Sequence, residues 1–552
     1  MDLQATATLA EPPSDREGAG TRPAARCWLA AAAWVAGTFA LFALFLRISL
    51  SSQVNSDGAV NGLQAWDLLH GNVLLRGWWF ADVNFYFFEL PLNAITAAVF
   101  GLGNFAAHVA SALTYLFVAV LAVTLAVTGS RGTARAVRCA VVIMVLAAPL
   151  LTMASLRLVL EEPDHIGTSV FILGSFLLID RVPARRFTAP VLCLILMAGQ
   201  FSDMTVRYVA VPAVVLACGY RAMAARRLRS PDTALVAAAV ASVPLATALS
   251  AMVVRLGGFT ERAPWAQVAP ARTWPHHVAL TWDNIRLLFG AVHVSGTKMG
   301  VLGFAFGLAC LLAAVFGLGW VVCRWPRTSR AEQLLCVAIV CNLGAAVIST
   351  AAKPGNAHEL AVILPCGAVL AARAIVPARI SFPAAAFVAV TLSVLAAITP
   401  LASAAAAPPA RPSTGPVTTW LEAHGLRYGI ASYWLAASGT VQTGDRVQIR
   451  AVDLRKIIPG FGREPVVAGW QVEPSWYNPS LHDATFVIAD PRAGFPGAIF
   501  ERAFGRPAAT HTVGRYTVLI YQTNLLRLVT RATCGQPTAV LPMQIARLCA
   551  AS

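Results

Sequence analysis

The chain has 552 residues, of which 57% are hydrophobic and 12% are charged, and its formal net charge is +16. In an ordinary soluble domain roughly a quarter of the residues are charged, so this composition excludes a soluble globular enzyme and a disordered chain alike. The basic residues interrupt long apolar runs, a pattern typical of cytoplasmic loops in a membrane protein and not of a nucleic-acid-binding surface. We therefore expect a membrane as partner and no nucleic acid.

About eleven apolar stretches approach the roughly 20 residues that cross a bilayer. They are 27–49, 106–128, 139–156, 166–180, 188–203, 207–222, 234–254, 301–323, 334–351, 359–374 and 382–404. The segment 88–103 is also apolar but is expected to dip into the membrane or lie flat on it. If the helices alternate, the arginine clusters share one side, which the positive-inside rule makes cytoplasmic. The tail 1–26 is then cytoplasmic, the first span is a retained anchor, and the C-terminus is extracytoplasmic.

The transmembrane domain is predicted over 27–404, with long outer loops at 50–105 and 255–300. A Pro/Ala/Ser linker follows at 405–417, and 418–552 has ordinary polarity. Strand-like runs (PVVAGW, TFVIAD, YTVLIY) and a short helix (TTWLEAHG) predict a small extracytoplasmic α/β or β-rich domain there. Cys534 and Cys549 lie in it and could pair in an oxidising compartment.

The first outer loop carries the first candidate catalytic residue, Asp57. Asp57 stands at the start of a stretch whose apolar positions fit an amphipathic helix in the membrane interface. A carboxylate held there would have a raised pKa through partial desolvation and could accept a proton from a hydroxyl group. The alternative is that Asp57 only caps the helix, because Asp is a preferred N-cap residue.

The second candidate cluster is the predicted tight turn RLVLEEPDH, which runs from Arg157 to His165. Glu162 and Asp164 are further candidate catalytic residues, and His165 is a candidate substrate-binding residue. They could bind a divalent cation such as Mg²⁺ or Mn²⁺, orient a sugar or pair with Arg157. One turn supplies too few oxygen ligands for a hard cation, so we assign no metal ligand and no certain cofactor. Asp164 could equally cap the helix that follows.

Further candidate substrate-binding residues sit at other predicted outer turns. These are Glu89, Asp203, Arg207, Lys353, His358 and Glu359. If the substrate carries a phosphate that leaves during a reaction, its negative charge requires cations. Arg207, Lys353 or His358 could supply them through charge-assisted hydrogen bonds. For Asp203 and Arg207, a plain i,i+4 ion pair is the favoured alternative.

The order of these motifs resembles the GT-C class of polytopic membrane glycosyltransferases. The resemblance rests on an apolar anchor followed at once by NSDGAVNGLQAWDLLHGN and FYFFELPLN, on the acidic turn LEEPDH, and on the late turn NAHELAVILPCGAVLAAR. It covers roughly residues 27–405. The chain departs from many relatives at His358-Glu359, where they have an Arg-Tyr pair.

The resemblance implies transfer of a sugar from a polyprenyl-phosphate donor to a glycan, lipid or protein acceptor on the extracytoplasmic face, usually with inversion. It places Asp57 where the family has its catalytic base, and the turn from Glu161 to His165 where it has a second functional acid. Two other functions stay open. A transporter or flippase would use the same acids within the bundle, and a non-catalytic assembly protein would bind glycan through its outer domain.

The outer domain also carries four aromatic residues that either stack on sugar rings or, as the favoured interpretation, fill a core. These are Trp434, Trp470, Trp476 and Tyr477.

Overall fold

The computed structural model describes residues 22–161, 165–182, 185–226, 229–262, 266–292, 298–380, 398–399, 401–458, 461–535 and 543–551. Its two parts are a bundle of apolar helices and a six-stranded sheet close to the C-terminus. The fold class predicted from the sequence, a helical polytopic membrane protein with a C-terminal α/β domain, is therefore confirmed.

The bundle is built from long helices joined by short turns, with two shorter helices between the first spans. In chain order the helices are α1 (Arg22–Ser49), α2 (Ser56–Leu69), α3 (Glu89–Phe100), α4 (Asn104–Val127), α5 (Thr133–Ala147), α6 (Met153–Leu156), α7 (Thr168–Arg181), α8 (Thr188–Ser202), α9 (Thr205–Ala224), α10 (Pro231–Arg255), α11 (Trp274–Leu288), α12 (Lys298–Cys323), α13 (Arg330–Ile348) and α14 (Ile363–Ile375). A π-helical turn, Arg157–Glu161, follows α6.

Within the described residues, eight helices are long and apolar enough to cross a membrane. Ten of the eleven predicted spans coincide with a helix, but those at 166–180 and 188–203 form helices of only 14 and 15 residues. At 1.5 Å per residue, such helices fall short of the hydrocarbon thickness of roughly 30 Å. The eleventh predicted span, 382–404, lies largely outside the described residues, as does most of the tail 1–26.

One end of the bundle gathers buried charge pairs made by arginines. Arg330 lies 2.8 Å from Asp232, and Arg373 lies 3.5 Å from Asp180 and 3.9 Å from Glu332. These ion pairs offset the cost of burying guanidinium groups near the membrane. The opposite end, where α8 ends and α9 begins, carries the acidic candidates.

The sheet has a parallel centre with antiparallel edges. Its strands are β3 (Tyr428–Ser432), β4 (Gln448–Ile458), β5 (Phe461–Val467), β6 (Phe486–Ala489), β7 (Ala509–Val513) and β8 (Tyr516–Ile520), after a short β1 (Trp79–Phe80) and β2 (Thr260–Glu261) in the outer loops. The spatial order is β5-β4-β3-β6-β8-β7, with β3 parallel to both of its neighbours. Helices α15 (Gly415–Ala423), α16 (Tyr433–Gln442), α17 (Gly497–Phe504), α18 (Leu526–Cys534) and α19 (Met543–Ala551) complete this part.

The sheet packs directly on the first outer loop. Trp79 and Val472 exchange backbone hydrogen bonds of 2.9 and 3.2 Å, and the rings of Trp78 and Trp476 meet edge to face at 5.1 Å. Helix α2 lies between α3 and α16, and its residues from Gly58 to Ala65 are buried. The prediction of an interfacial helix is therefore wrong, because the apolar face of α2 is covered by protein.

Cys534 and Cys549 form a disulfide with their Cα atoms 5.4 Å apart. It joins α18 to α19 and so fastens the last described helix to the sheet. The described free cysteines all belong to the helical bundle.

Candidate functional site

Asp57 lies in the first turn of α2, where its carboxylate faces the C-terminal part. The N-cap of α2 is Asn55, whose side chain accepts a hydrogen bond of 2.9 Å from the backbone N–H of Gly58. The alternative that Asp57 serves only as the cap is therefore wrong. Instead, the hydroxyl of Tyr433 donates a hydrogen bond of 2.5 Å to Oδ1 of Asp57. Ser56 fixes the same junction by donating to the carbonyl of Tyr433 at 2.6 Å.

The surroundings of Asp57 favour a protonatable carboxyl group. Burial raises the pKa of Asp57, and the hydrogen bond from Tyr433 lowers it in part. Glu161 lies beside the same turn, since a Cβ on Gly58 would sit 3.2 Å from the Glu161 carbonyl oxygen. Burial raises the pKa of Glu161 to about 7 although Arg157 lies 3.3 Å away. Two carboxyl groups whose pKa values burial raises thus border one helix end.

A second set of polar side chains centres on His165. Its Nδ1 lies 2.6 Å from Oδ2 of Asp203, and its Nε2 lies 3.9 Å from Oε2 of Glu359. The His165 ring stacks on that of His358, with centroids 5.8 Å apart. Burial alone would raise the pKa of Asp203, but the charge and hydrogen bond of His165, with hydrogen bonds from Thr168 and Thr205, lower it overall.

The first outer loop folds against the end of α8 and brings Asp82 to this cluster. Asn84 holds the loop there, because its backbone N–H donates to the Ser202 carbonyl at 3.1 Å and its side chain donates to the Phe201 carbonyl at 2.6 Å. A cavity of about 260 Å³ results, lined among others by Asp82, His165, Asp203, Tyr208, Asn342 and Glu359. Its charged lining residues are acidic, namely Asp82, Asp203 and Glu359, and His165 lies among them.

Glu89 lies beside this cluster at the start of α3 and is 1% exposed. Its carboxylate occupies the place that a Cβ on Gly167 would take, two residues after His165. Only glycine fits at position 167 without moving this carboxylate. Glu89 therefore lies against the chain segment that directly follows His165.

For the divalent cation that the sequence left open, the described residues offer a different set of donors. One ligand atom each from His165, His358 and Glu359 lie within 4.8 Å of one another. Two imidazoles and one carboxylate suit zinc or a similar transition metal, whereas Mg²⁺ requires mostly oxygen ligands. Asp203 would orient His165 through its second ring nitrogen, as outer-shell carboxylates commonly do. The donor set therefore does not fit Mg²⁺, one of the two ions considered for the acidic turn.

Four candidates lie apart from this cluster or outside the described residues. Arg207 forms no ion pair with Asp203; its guanidinium donates to Gln200 at 3.4 Å and to Thr247 at 3.3 Å. The favoured i,i+4 pair was wrong because Asp203 turns toward His165. Lys353 is exposed and does not line the cavity. Glu162 and Asp164 lie outside the described residues.

The aromatic residues of the C-terminal part divide by exposure. Tyr477 is fully buried and donates a hydrogen bond of 2.5 Å to the Ala451 carbonyl, whereas Trp434 is 59% exposed. Trp470 and Trp476 are partly buried against the core. Core packing, the favoured interpretation, accounts for three of the four and leaves Trp434 as a candidate stacking surface.

Replacing Tyr433 with Phe tests the junction at Asp57. Loss of the donated hydrogen bond removes the influence that lowers the pKa of Asp57, so this pKa should rise further. For the prediction that Asp57 is a catalytic base, which must be ionised to act, we expect the acidic limb of an activity profile to move to higher pH. We expect turnover at neutral pH to fall about tenfold, as for loss of one hydrogen bond to a charged group.

Tyr428→Phe is the matched control, because Tyr428 in β3 donates to the Trp476 carbonyl at 2.7 Å instead. It should leave the pH profile in place. A lower rate with an unmoved acidic limb in Tyr433→Phe would show that the hydroxyl acts on stability alone.

The chain matches no family model and no curated protein. Its architecture is nevertheless similar to solved structures. ArnT from Cupriavidus metallidurans bound to undecaprenyl phosphate aligns with a TM-score of 0.50 and 14% identity, over 88% of this chain and 97% of that chain. The same ArnT in the apo state aligns with a TM-score of 0.43 and 13% identity, over 91% and 99%. Archaeal oligosaccharyltransferase AglB from Archaeoglobus fulgidus, in complex with an inhibitory peptide and a dolichol-phosphate, aligns with a TM-score of 0.44 and 13% identity, over 83% and 70%.

The chain is thus a multi-pass membrane protein with a GT-C-like fold, as the sequence motifs predicted. At 14% identity, the alignment with lipid-bound ArnT bears on the fold alone.

Proposed function

We propose that this protein is a membrane glycosyltransferase that moves a sugar from a polyprenyl-phosphate donor to an acceptor hydroxyl. The observation that carries the proposal is the partly buried Asp57 carboxylate, held by Tyr433 beside the end of the bundle in a GT-C-like fold. The structural neighbours add support, since ArnT was solved with undecaprenyl phosphate and AglB with a dolichol-phosphate.

In the proposed reaction, Asp57 accepts the proton of the acceptor hydroxyl. The acceptor oxygen forms a bond to the anomeric carbon while the bond from that carbon to the phosphate oxygen breaks, and polyprenyl phosphate leaves. A single displacement of this kind inverts the anomeric configuration. The raised pKa of Asp57 suits this role, because a general base works best when its pKa approaches the working pH.

An apolar groove of about 500 Å³ supports a lipid-linked donor. It lies between α1, α4 and α5, and its lining includes Trp34, Leu41, Leu44, Val123 and Ile143. The groove follows α1, the helix that ends at Ser49 just before Asp57. A polyprenyl tail in this groove would bring its phosphate toward that end of the bundle. There His165 and His358 can donate hydrogen bonds to the phosphate as it leaves.

We further propose that this end of the bundle is extracytoplasmic and that the N-terminus is cytoplasmic. The arginine-rich end with Arg330 and Arg373 has the charge expected of the cytoplasmic side. The disulfide between Cys534 and Cys549 supports an oxidising compartment for the C-terminal part, 418–552.

The test is a transfer assay on the full chain reconstituted in lipid nanodiscs. Undecaprenyl-phosphate donors carrying different labelled sugars are supplied with a saccharide acceptor. Released undecaprenyl phosphate and labelled product are both measured. With at least one donor, we expect released undecaprenyl phosphate and labelled product to form in equal amounts. The same sugar linked to a nucleotide should not be consumed.

In proteoliposomes the same donors distinguish transfer from transport. If a labelled lipid changes leaflet with its sugar–phosphate bond intact and no donor is cleaved, the protein is a flippase and the transferase proposal is wrong.

A further inference from the structure

The C-terminal sheet has a crevice where ligands bind in many α/β folds. Strand β3 lies between two parallel neighbours: α16 leads from it to β4 on one side, and β6 lies on the other. The chain therefore runs to opposite sides of β3, which makes the carboxyl ends of β3 and β6 a topological switch point. Crevices at such points are the usual ligand sites of open α/β sheets.

A cavity of about 300 Å³ opens at this place. Ser432, the last residue of β3, and Asp490, directly after β6, line it together with Trp434, Arg492, Arg515 and Tyr516. Asp490 is 5% exposed, and its carboxylate accepts from the Arg492 backbone N–H at 3.1 Å. Its other oxygen lies 3.5 Å from the Arg515 guanidinium. Asp490 and Arg515 are thus held in place before any ligand arrives.

The lining combines the two features that acidic sugars require. Trp434 presents a largely exposed indole ring, which can stack on the apolar face of a pyranose. Arg492 and Arg515 outnumber the single carboxylate of Asp490, so the crevice has an excess of positive charge. Guanidinium groups bind carboxylate or phosphate in a bidentate manner. A neutral sugar would use the ring and leave this positive charge unmatched.

Two links connect the crevice to the surroundings of Asp57: one through neighbouring residues in the chain and one through a hydrogen bond. Tyr433, which holds Asp57, directly precedes Trp434 in α16. Ser413 lines the crevice, and its backbone N–H donates at 3.3 Å to the side chain of Gln53, four residues before Asp57. A ligand in the crevice would therefore lie close to the candidate base.

We propose that this crevice binds an anionic saccharide unit of the acceptor, one that carries a carboxylate or a phosphate. Trp434 stacks on its ring, and Arg492 and Arg515 hold its charge. The role as acceptor site rests on the proposed transferase function, whereas the binding itself does not.

Binding is tested without turnover on the detergent-purified full chain. The protein is applied to an array of oligosaccharides that contains uronic acids, sugar phosphates and the neutral counterpart of each. We expect at least one anionic glycan to be bound about tenfold more tightly than its neutral counterpart. The uronate and phosphate spots distinguish the two sources of charge. The proposal would be overturned if neither uronates nor sugar phosphates bind, or if neutral glycans bind equally well.

Variants of the crevice locate the binding. Trp434→Ala and Arg492→Gln should each weaken it about tenfold, whereas Trp434→Phe retains a ring and should restore most of it. Arg506→Gln is the matched control, because Arg506 is exposed on the same domain and does not line the crevice. Unchanged binding in both crevice variants would place the glycan elsewhere and refute the assignment.

Asp57→Asn separates the two proposals. It should keep full glycan binding, because Asp57 does not line the crevice. If the wild-type protein binds the glycan but transfers sugar from none of the donors, the transferase proposal fails and the saccharide site stands. If the wild-type protein transfers sugar but shows no preference for anionic glycans on the array, the transferase proposal stands and the saccharide site fails.

Discussion

Asp57→Asn should abolish sugar transfer, lowering the turnover number by about a thousandfold or more, within the range of general-base contributions. An amide has the shape of the carboxylate but cannot accept the acceptor's proton. Tyr433 can still donate to the amide oxygen, so α2 and its contact with α16 should be retained. The measurement is labelled product formed in nanodiscs under saturating donor and acceptor.

The matched control for this substitution is Asp283→Asn in α11, whose carboxylate is 66% exposed and pairs only with Arg286 among the described contacts, at 3.3 Å. It makes the same chemical change outside the site and should leave transfer unchanged. Wild-type turnover in Asp57→Asn, with the protein folded and the control normal, would remove Asp57 from the mechanism and leave Glu161 as the nearby alternative base.

The helices were accessible from sequence because apolar length and turn chemistry are local properties. The stretch 106–128, for example, coincides with α4, since a long uninterrupted apolar run has few other stable conformations in a membrane. The strands were found for the same reason: TFVIAD is a short β-branched and aromatic run that forms β6. The register and order of those strands depend on distant partners and could not be obtained in this way.

The site shows the same division between local and distant information. Asp57 could be selected because of its position after the anchor, but its partner Tyr433 is 376 residues away and carries no local signal. Asp203 was expected to pair with Arg207 because they are four residues apart. The fold instead offers Asp203 three donors from His165, Thr168 and Thr205, which together outweigh one helical neighbour. Asp82 joined the cavity only because Asn84 ties its loop to the end of α8.

Asp203→Asn is the second substitution with a large expected effect. The carboxylate accepts the Nδ1 proton of His165 in a hydrogen bond and so holds the ring with Nε2 toward Glu359 and the cavity. An amide in its place has no charge to hold that proton, and its N–H group can compete with the imidazole as a donor. Removing a carboxylate that orients a metal-bound histidine costs about 10–100-fold, and by analogy we expect transfer to fall about fiftyfold. The binding of polyprenyl phosphate should weaken as well, because the His165 ring is no longer held in one orientation at the phosphate.

Asp232→Asn separates this orienting role from a general loss of stability. Asp232 is also shielded from solvent and pairs with Arg330 at 2.8 Å, but it lies at the start of α10, the opposite end of the bundle from Asp203. Both variants should lower the unfolding temperature, since each removes a partner of a buried charge. Only Asp203→Asn should also lower transfer per folded molecule and weaken polyprenyl phosphate binding. Equal losses in the two variants would show that Asp203 serves the fold, and the His165 cluster would then have no part in holding the donor.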